Sequence, residues 1–178
     1  MPETHRPYPL FVPPDGLSEG VPWEWSPDQA TAYAEWLQGS LRRRTEALLE
    51  YYSIDPKAEP ARVFGRLVGH ATASLVTEPF SVGAKLTDSG YALAADVGLL
   101  MARALLEQHP HLEWTVVRRP KSDASYNQPV LQGFGHVHFD PVGVAVAQAW
   151  GVLRGTRDGG RWPELLELWS GMAAEHSP

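Results

Sequence analysis

The sequence predicts a single α+β domain in which helices predominate and a small antiparallel sheet packs on a buried central helix. Three observations indicate this class: apolar stripes at helical spacing, a segment at 88–108 that is apolar around almost its whole circumference, and two strand-like segments between residues 112 and 139. Residues 1–25 are predicted to form a proline-rich extended arm, and residues 26–178 a single globular domain.

The arm combines prolines that oppose helix formation with apolar side chains that are costly to leave in water. We therefore expect it to pack along the body of its own chain, or on a second chain in a homodimer. Trp23 and Trp25, in "PWEW", are candidate partner-binding residues, because Trp and Tyr are enriched at binding surfaces. Tyr126, in the polar loop "SYNQP", is a third candidate, although it could simply cover the edge of the sheet.

Three helices are expected before the sheet. Ser26 is a helix cap followed by Pro27 at the first helical position, and this helix should end near Tyr52. A second helix is expected from about Pro60 to Val76. The third, capped at residues 87–89, is the central one.

Three charged residues interrupt the apolar surface of the third helix. Asp96, Arg103 and Glu107 are spaced by 7 and 4 residues, which places them on one narrow stripe. The favoured interpretation is a thin solvent-facing edge with an Arg103–Glu107 pair. The alternative is a polar stripe that lines a cleft.

The remaining elements are two strands and two helices. Residues 112–117 alternate like a strand, and residues 129–140 form either one strand or two, divided after Gly133 and Gly135. Together they should form an antiparallel hairpin. A helix from Pro141 and a last helix from near Trp162 complete the domain.

The stretch "GFGHVHFDP" carries the strongest chemical signal. On one strand, His136, His138 and Asp140 would share a face, at a spacing of about 6.6 to 6.8 Å. Two histidines and a carboxylate are a donor set that suits zinc or non-haem iron. The sequence thus raises the hypothesis of a small metal-dependent enzyme.

The same stretch has a plainer interpretation, which we favour. It resembles the H-x-H-x-D-H motif of metallo-β-lactamase-like hydrolases, but Pro141 stands where the final histidine belongs, and the chain is too poor in strands for that fold. Asp140 before Pro141 is also a good helix cap, which would turn its carboxylate away from the histidines. The two histidines would then lie on the wet face of an ordinary strand.

Composition narrows the function classes further. A net charge of −6 argues against nucleic-acid binding, and the absence of cysteine excludes thiolate metal sites and cysteine nucleophiles. No uninterrupted run of about 20 apolar residues and no secretory signal are present, so we expect a cytoplasmic protein without a membrane span. Nucleophile-elbow and phosphate-loop motifs are absent.

Scarce Lys, Ile and Asn, offset by Arg, Ala, Gly and Pro, are typical of high-GC bacterial genomes. The segments "GYALAADVGLLMARALLEQHP", "EWTVVRRP" and "NQPVLQGFG" resemble small, uncharacterised proteins of such bacteria, some of them immunity or accessory partners. The resemblance covers about a third of the chain. Together these observations favour a non-enzymatic cytoplasmic binding protein with a protein partner, the metal enzyme being the alternative.

Overall fold

The structure is a computed structural model that describes residues 8–10, 12–73, 77–79, 84–158 and 161–177. Its elements confirm the predicted helix-rich α+β class. The helices are α1 (Pro27–Tyr51), α2 (Pro60–Ala73), α3 (Asp88–Gln108), α4 (Pro141–Leu153) and α5 (Arg161–Glu175). The strands are β1 (Thr77–Pro79), β2 (Ala84–Leu86), β3 (Glu113–Val116), β4 (Pro129–Phe134) and β5 (Val137–Phe139).

Side-chain caps start three of the helices. Ser26, Thr87 and Asp140 each accept a hydrogen bond from the backbone N–H three residues later, at the starts of α1, α3 and α4. These caps satisfy N–H groups that have no partner within the helix. The start and end predicted for α1 are confirmed, whereas residues 74–76, expected in α2, lie outside the described residues.

Helix α3 is the buried centre of the fold. Fourteen of its residues are buried, and it packs against α1, α2, α4 and α5. Gly98 permits the close approach of α4, because a Cβ at this position would lie 2.1 Å from the Pro141 carbonyl oxygen.

Within the described part of the chain, α3 is also long and apolar enough to cross a membrane, by length and composition alone. However, 78% of its apolar window is buried inside the protein, and core helices of soluble proteins pass the same test.

The larger sheet has the order β3-β4-β5 and is antiparallel throughout. Its register pairs Glu113 with Gln132 and Val116 with Pro129. Gly133 and Gly135 adopt φ values of 114° and 74°, which glycine adopts without steric strain. The chain therefore turns after β4, and the open choice between one strand and two is resolved in favour of two.

Helix α5 joins the sheet to the core. The Trp169 ring lies 4.7 Å from the Phe139 ring and 5.0 Å from the Phe134 ring, measured between centroids. Leu131 and Phe134 of β4 belong to the same core cluster as the buried residues of α3. The small sheet, β1 and β2, lies apart from β3–β5 as an antiparallel pair.

Candidate binding cleft

A cleft of about 490 Å³ opens between the arm, α3 and α4. Its size falls in the range of ligand-binding pockets. Its lining is almost entirely apolar and comes from three parts of the chain: Leu10, Val12 and Pro13 of the arm, Asp88, Tyr91, Ala92 and Ala95 of α3, and Val142 and Val146 of α4.

The sequence explains why this space stays open. Ala92 and Ala95 have side chains too small to fill the gap between α3 and α4. The Tyr91 ring is positioned by an edge contact to Trp150 of α4, at 6.3 Å between centroids. The Arg154 guanidinium in turn lies 5.1 Å from the centre of the Trp150 ring. Contacts with Trp150, which itself contacts Arg154, therefore fix the Tyr91 side chain at the edge of the cleft.

Exposed apolar side chains concentrate at this end of the molecule. Six large hydrophobic residues are exposed in the described part of the chain, and three of them line the cleft: Leu10 at 51%, Val12 at 69% and Tyr91 at 40%. Single exposed apolar residues are ordinary, but a group around a concave surface is typical of a binding site.

The arm reaches this position because Tyr8 is anchored in the body. Its side chain is 3% exposed, and its ring meets the Tyr51 ring edge-on at 5.0 Å. The Tyr8 hydroxyl donates a hydrogen bond to the carboxylate of Asp96, and the backbone carbonyl of Tyr8 accepts one from Ser89 Oγ at 3.1 Å. The expectation that the arm packs along its own chain therefore holds for residue 8.

Asp96 is the centre of a buried polar cluster. Arg44 of α1 donates to both of its carboxylate oxygens, from Nε at 3.1 Å and from Nη2 at 2.6 Å. Burial raises the pKa of Asp96 to about 6, although Arg44 and the Tyr8 hydroxyl act in the opposite direction. Burial and the Asp96 carboxylate also raise the pKa of Tyr8 far above its usual value. We call Tyr8, Arg44 and Asp96 the latch.

The latch corrects the interpretation of the charged stripe on α3. Asp96 has no exposed surface, so the stripe is not a solvent-facing edge along its length, and Asp96 does not line the cleft. Arg103 and Glu107 do form the expected pair, at 2.8 Å, and Arg103 also donates to Thr45 Oγ1 at 3.2 Å. The stripe therefore faces α1, where Arg44 and Thr45 lie.

The far end of the arm is fixed by the loop between β3 and β4. Asn127 is buried with φ of 61°, and its Nδ2 donates to the carbonyl oxygens of Pro22 and Trp25 at 2.9 and 3.0 Å. Its Oδ1 accepts from Arg118 Nη1 at 2.9 Å, and Arg118 Nη2 reaches the Pro27 carbonyl at 2.9 Å. The loop thus joins the arm to the start of α1.

The three candidate partner-binding residues therefore have different surroundings. Trp23 is 67% exposed and available for contact. Trp25 is only 8% exposed, packs on Tyr33 at 4.9 Å, and donates from Nε1 to the Glu19 carbonyl. Little of Trp25 is therefore accessible in this structure, and its contact with a partner stays a prediction. Tyr126 is half-buried in the loop.

The histidines of "GFGHVHFDP" do not converge on one face. His136 lies in the turn between β4 and β5, and only His138 belongs to a strand. His138 Nε2 lies 3.5 Å from Asp123 Oδ1. No group of three or more metal-ligating side chains occurs among the described residues. The expected strand-borne triad is therefore not assembled, because the turn begins before His136.

Asp140 is the helix cap that the favoured interpretation predicted. Its Oδ1 accepts from the Gly143 N–H at 2.8 Å, and its Oδ2 accepts from Ser125 Oγ at 3.3 Å. Burial raises its pKa, while these hydrogen bonds act in the opposite direction. Burial and the Asp140 charge together raise the pKa of Tyr33 to about 12. Its carboxylate is thus occupied in holding the loop against α4.

Sequence reasoning missed Tyr8 and Arg44 as partners of Asp96. The available signal was an aspartate within an otherwise apolar helix, since a buried carboxylate needs a donor or a cation. The partners lie 88 and 52 residues away, and nothing local identifies them.

No family model matches this sequence, and the searches of curated proteins and of solved structures found no match either.

Proposed function

We propose that the protein is a non-enzymatic binding protein, which holds apolar side chains of a protein partner in the cleft between the arm, α3 and α4. The observation that supports this proposal is the grouping of Leu10, Val12 and Tyr91 around one concave apolar surface. Their exposure leaves apolar area in water that a partner would cover, and burying such area is the main favourable term in association.

The charge of the chain indicates the kind of partner. The net charge is −6, and Asp88 is the one charged residue among the described residues that line the cleft. A partner with basic residues beside its apolar anchors would associate faster and in a better-defined orientation. A cytoplasmic immunity-type or accessory role, in which a small acidic protein covers a basic partner, agrees with such a surface.

The volume of the cleft limits how much of a partner can bind inside it. About 490 Å³ accommodates a few side chains rather than a helix or a domain. Buried aromatic or aliphatic anchors of this kind supply most of the affinity at protein interfaces, and the surrounding contacts exclude water. Trp23 is also exposed on the arm, but it is not among the residues that line the cleft.

Display selection of random peptides against the folded protein tests this proposal. We expect the enriched peptides to combine apolar residues with Lys or Arg. Their binding should fall at least about tenfold in Ala95→Phe, which fills the cleft, and in Val12→Asp, which places a charge on its exposed wall.

Leu168→Asp is the matched control, because Leu168 is an exposed apolar residue on α5 that does not line the cleft. It should leave binding unchanged. Selected peptides that bind all three variants as well as the parent protein would overturn the proposal. Circular dichroism on each variant separates loss of binding from loss of folding.

A further inference from the structure

Another pocket, of about 490 Å³, lies between α2 and α5 and shares no lining residue with the binding cleft. Its size is also in the range of ligand-binding pockets. Its lining comes from three helices: Ala61, Arg62, Phe64 and Gly65 of α2, Gln108 of α3, and Pro163, Leu166, Glu167 and Ser170 of α5. We call this space the α2–α5 pocket. It combines apolar side chains with four polar or charged ones.

Ser170 has a chemically significant neighbour in this pocket. Its Oγ lies 2.8 Å from Nε2 of His109, the residue that caps the end of α3. Gln108 Oε1, at 3.4 Å, is a more distant acceptor for the same hydroxyl. When the His109 ring carries its proton on Nδ1, Nε2 accepts the Ser170 hydroxyl hydrogen. The two side chains, which we call the dyad, therefore have the geometry of a nucleophile and its general base.

The surroundings of His109 suit it to accept a proton. Its backbone is fixed, because its N–H donates to the Leu105 carbonyl at 2.8 Å and its carbonyl accepts from the Leu112 N–H at 3.0 Å. Burial lowers the pKa of His109, and the neighbouring His111 acts in the same direction. A lowered pKa keeps the imidazole neutral near pH 7, and only the neutral ring can act as a base.

We propose that Ser170 is a site of covalent acylation, at which His109 activates the hydroxyl toward an acyl thioester and the α2–α5 pocket holds the acyl chain. In this step Ser170 Oγ bonds to the carbonyl carbon of the thioester, and the bond from that carbon to sulfur breaks. The hydroxyl proton passes through His109 Nε2 to the departing thiolate. The products are a serine ester and a thiol. The inference goes beyond the proposed function, since it concerns a separate pocket.

The composition of the dyad indicates the donor and the outcome. Within the described part of the chain, His109 makes no ion pair with a carboxylate, the group that orients and stabilises the imidazolium in a hydrolytic triad. A thiol, with a pKa of about 8.5, is a leaving group that needs little help from an acid. The missing carboxylate also slows attack by water on the ester. We therefore expect one lasting modification per chain rather than turnover.

The lining indicates an acyl group with an apolar chain. Phe64 and Leu166 are buried core residues that line this pocket, so an apolar chain beside them would leave water. Arg62 and Gln108 add N–H donors to the same lining. Such donors stabilise the negative charge that develops on the carbonyl oxygen during acyl transfer.

Mass spectrometry of the intact protein, incubated with the S-phenyl thioester of hexanoic acid, tests the proposal. We expect the added mass of one hexanoyl group per chain, and peptide mapping should place it on Ser170. Ser170→Ala should abolish this ester. Ser177→Ala, the same change at an exposed serine beyond α5, should leave it intact.

The base is tested by rate. His109→Gln keeps a polar side chain but removes the basic ring, and it should slow hexanoylation of Ser170 at least about a hundredfold. His176→Gln is the matched control, because the His176 ring bonds the Met172 carbonyl, and it should leave the rate unchanged. Circular dichroism on each variant verifies that it folds.

Gly65→Leu tests the pocket apart from the dyad. A Cβ on Gly65 would lie 3.8 Å from Pro163 Cγ, an ordinary contact, so the variant can add apolar volume to the lining without a clash at the Cβ. It should slow hexanoylation at least about tenfold. Acetylation by the S-phenyl thioester of acetic acid should slow less, because the acetyl group needs less space.

A parent protein without a hexanoyl ester on Ser170 would overturn the proposal, as would equal rates in the parent and His109→Gln. Hexanoylation that proceeds equally fast in Gly65→Leu would overturn the role of the pocket in holding the chain. Each of these outcomes is independent of peptide binding in the cleft, so the proposed function would stand or fall separately.

Discussion

Two polar regions of this molecule contrast in how sequence and structure relate. In the first, His136 to Asp140, polar residues adjacent in sequence separate into a turn, a strand and a helix cap. In the second, Tyr8, Arg44 and Asp96 lie far apart in sequence and meet around one buried carboxylate. Polar residues that are close in sequence thus served local structure here, whereas the contacts around the buried Asp96 carboxylate depend on how the arm, α1 and α3 pack together.

The comparison implies that the latch matters far more to stability than the histidine stretch. Asp96→Ala removes the carboxylate that accepts hydrogen bonds from both the Arg44 guanidinium and the Tyr8 hydroxyl. The Arg44 side chain is only 11% exposed, so water cannot easily replace that carboxylate. We expect the free energy of unfolding to fall by about 3–5 kcal/mol. Urea unfolding followed by tryptophan fluorescence measures it, and a loss below about 1 kcal/mol would contradict the importance of the latch.

Asp96 should also give stability an unusual dependence on pH. Its pKa is about 6 in the folded protein against 3.8 for an unperturbed aspartate side chain, so between these pH values the folded state binds more protons than the unfolded state. Its contribution to stability is therefore greatest below pH 4, falls as pH rises, and levels off above pH 6. The whole change is about 3 kcal/mol at most, from a pKa difference of roughly two units.

Asp96→Asn isolates this contribution, because the amide does not titrate in this range. Unfolding free energies of the parent and the variant, measured from pH 4 to pH 7, should differ in slope and not only in level. Parallel curves would show that Asp96 titrates alike in both states.

A smaller effect is expected from Asp140. Asp140→Ala removes the cap on α4 and the bond from Ser125, and it should lower the free energy of unfolding by about 1 kcal/mol. Asp140→Asn should recover part of this loss, since asparagine is also a good cap. A loss as large as that of Asp96→Ala would abolish the contrast between the two regions.

The smallest effect is expected from the histidines themselves. His136 is exposed in a turn, and His138 is partly exposed, with its Nε2 3.5 Å from Asp123 Oδ1 and the Asp140 carboxylate near enough to interact with its charge. The double variant His136→Ala, His138→Ala should therefore melt within about a degree of the parent protein, since surface pairs contribute little. Near-stoichiometric zinc or iron by elemental analysis, lost in the double variant, would revive the metal hypothesis.

The sequence predicted elements well where the signals were local. The caps at Ser26 and Asp140, the buried third helix and the antiparallel strands followed from residue types within a few positions of one another. The sequence could not decide whether residues 129–140 form one strand or two, because two glycines indicate either a bulge or a turn. The backbone conformation of Gly133 and Gly135 decided it.

The candidate site was much less predictable. Its lining combines residues from positions 10 to 146, so no window of the sequence contains it. Leu10 and Val12 resemble any apolar residues of an arm, and only the packing shows that they remain exposed while Tyr8 and Trp25 are buried. The position of the cleft depends on how α3 and α4 pack against each other and against the arm, and side-chain type alone does not determine this packing.

The central claim is that apolar side chains of a partner bind in the cleft between the arm, α3 and α4. Nuclear magnetic resonance of the ¹⁵N-labelled protein, titrated with a peptide from the display selection, tests it most directly. We predict that the largest backbone amide shifts occur at Leu10, Val12, Tyr91, Val142 and Val146, with little change at His136 and Val137. Shifts concentrated at the histidine turn, or no shifts at the cleft under saturating peptide, would contradict the claim.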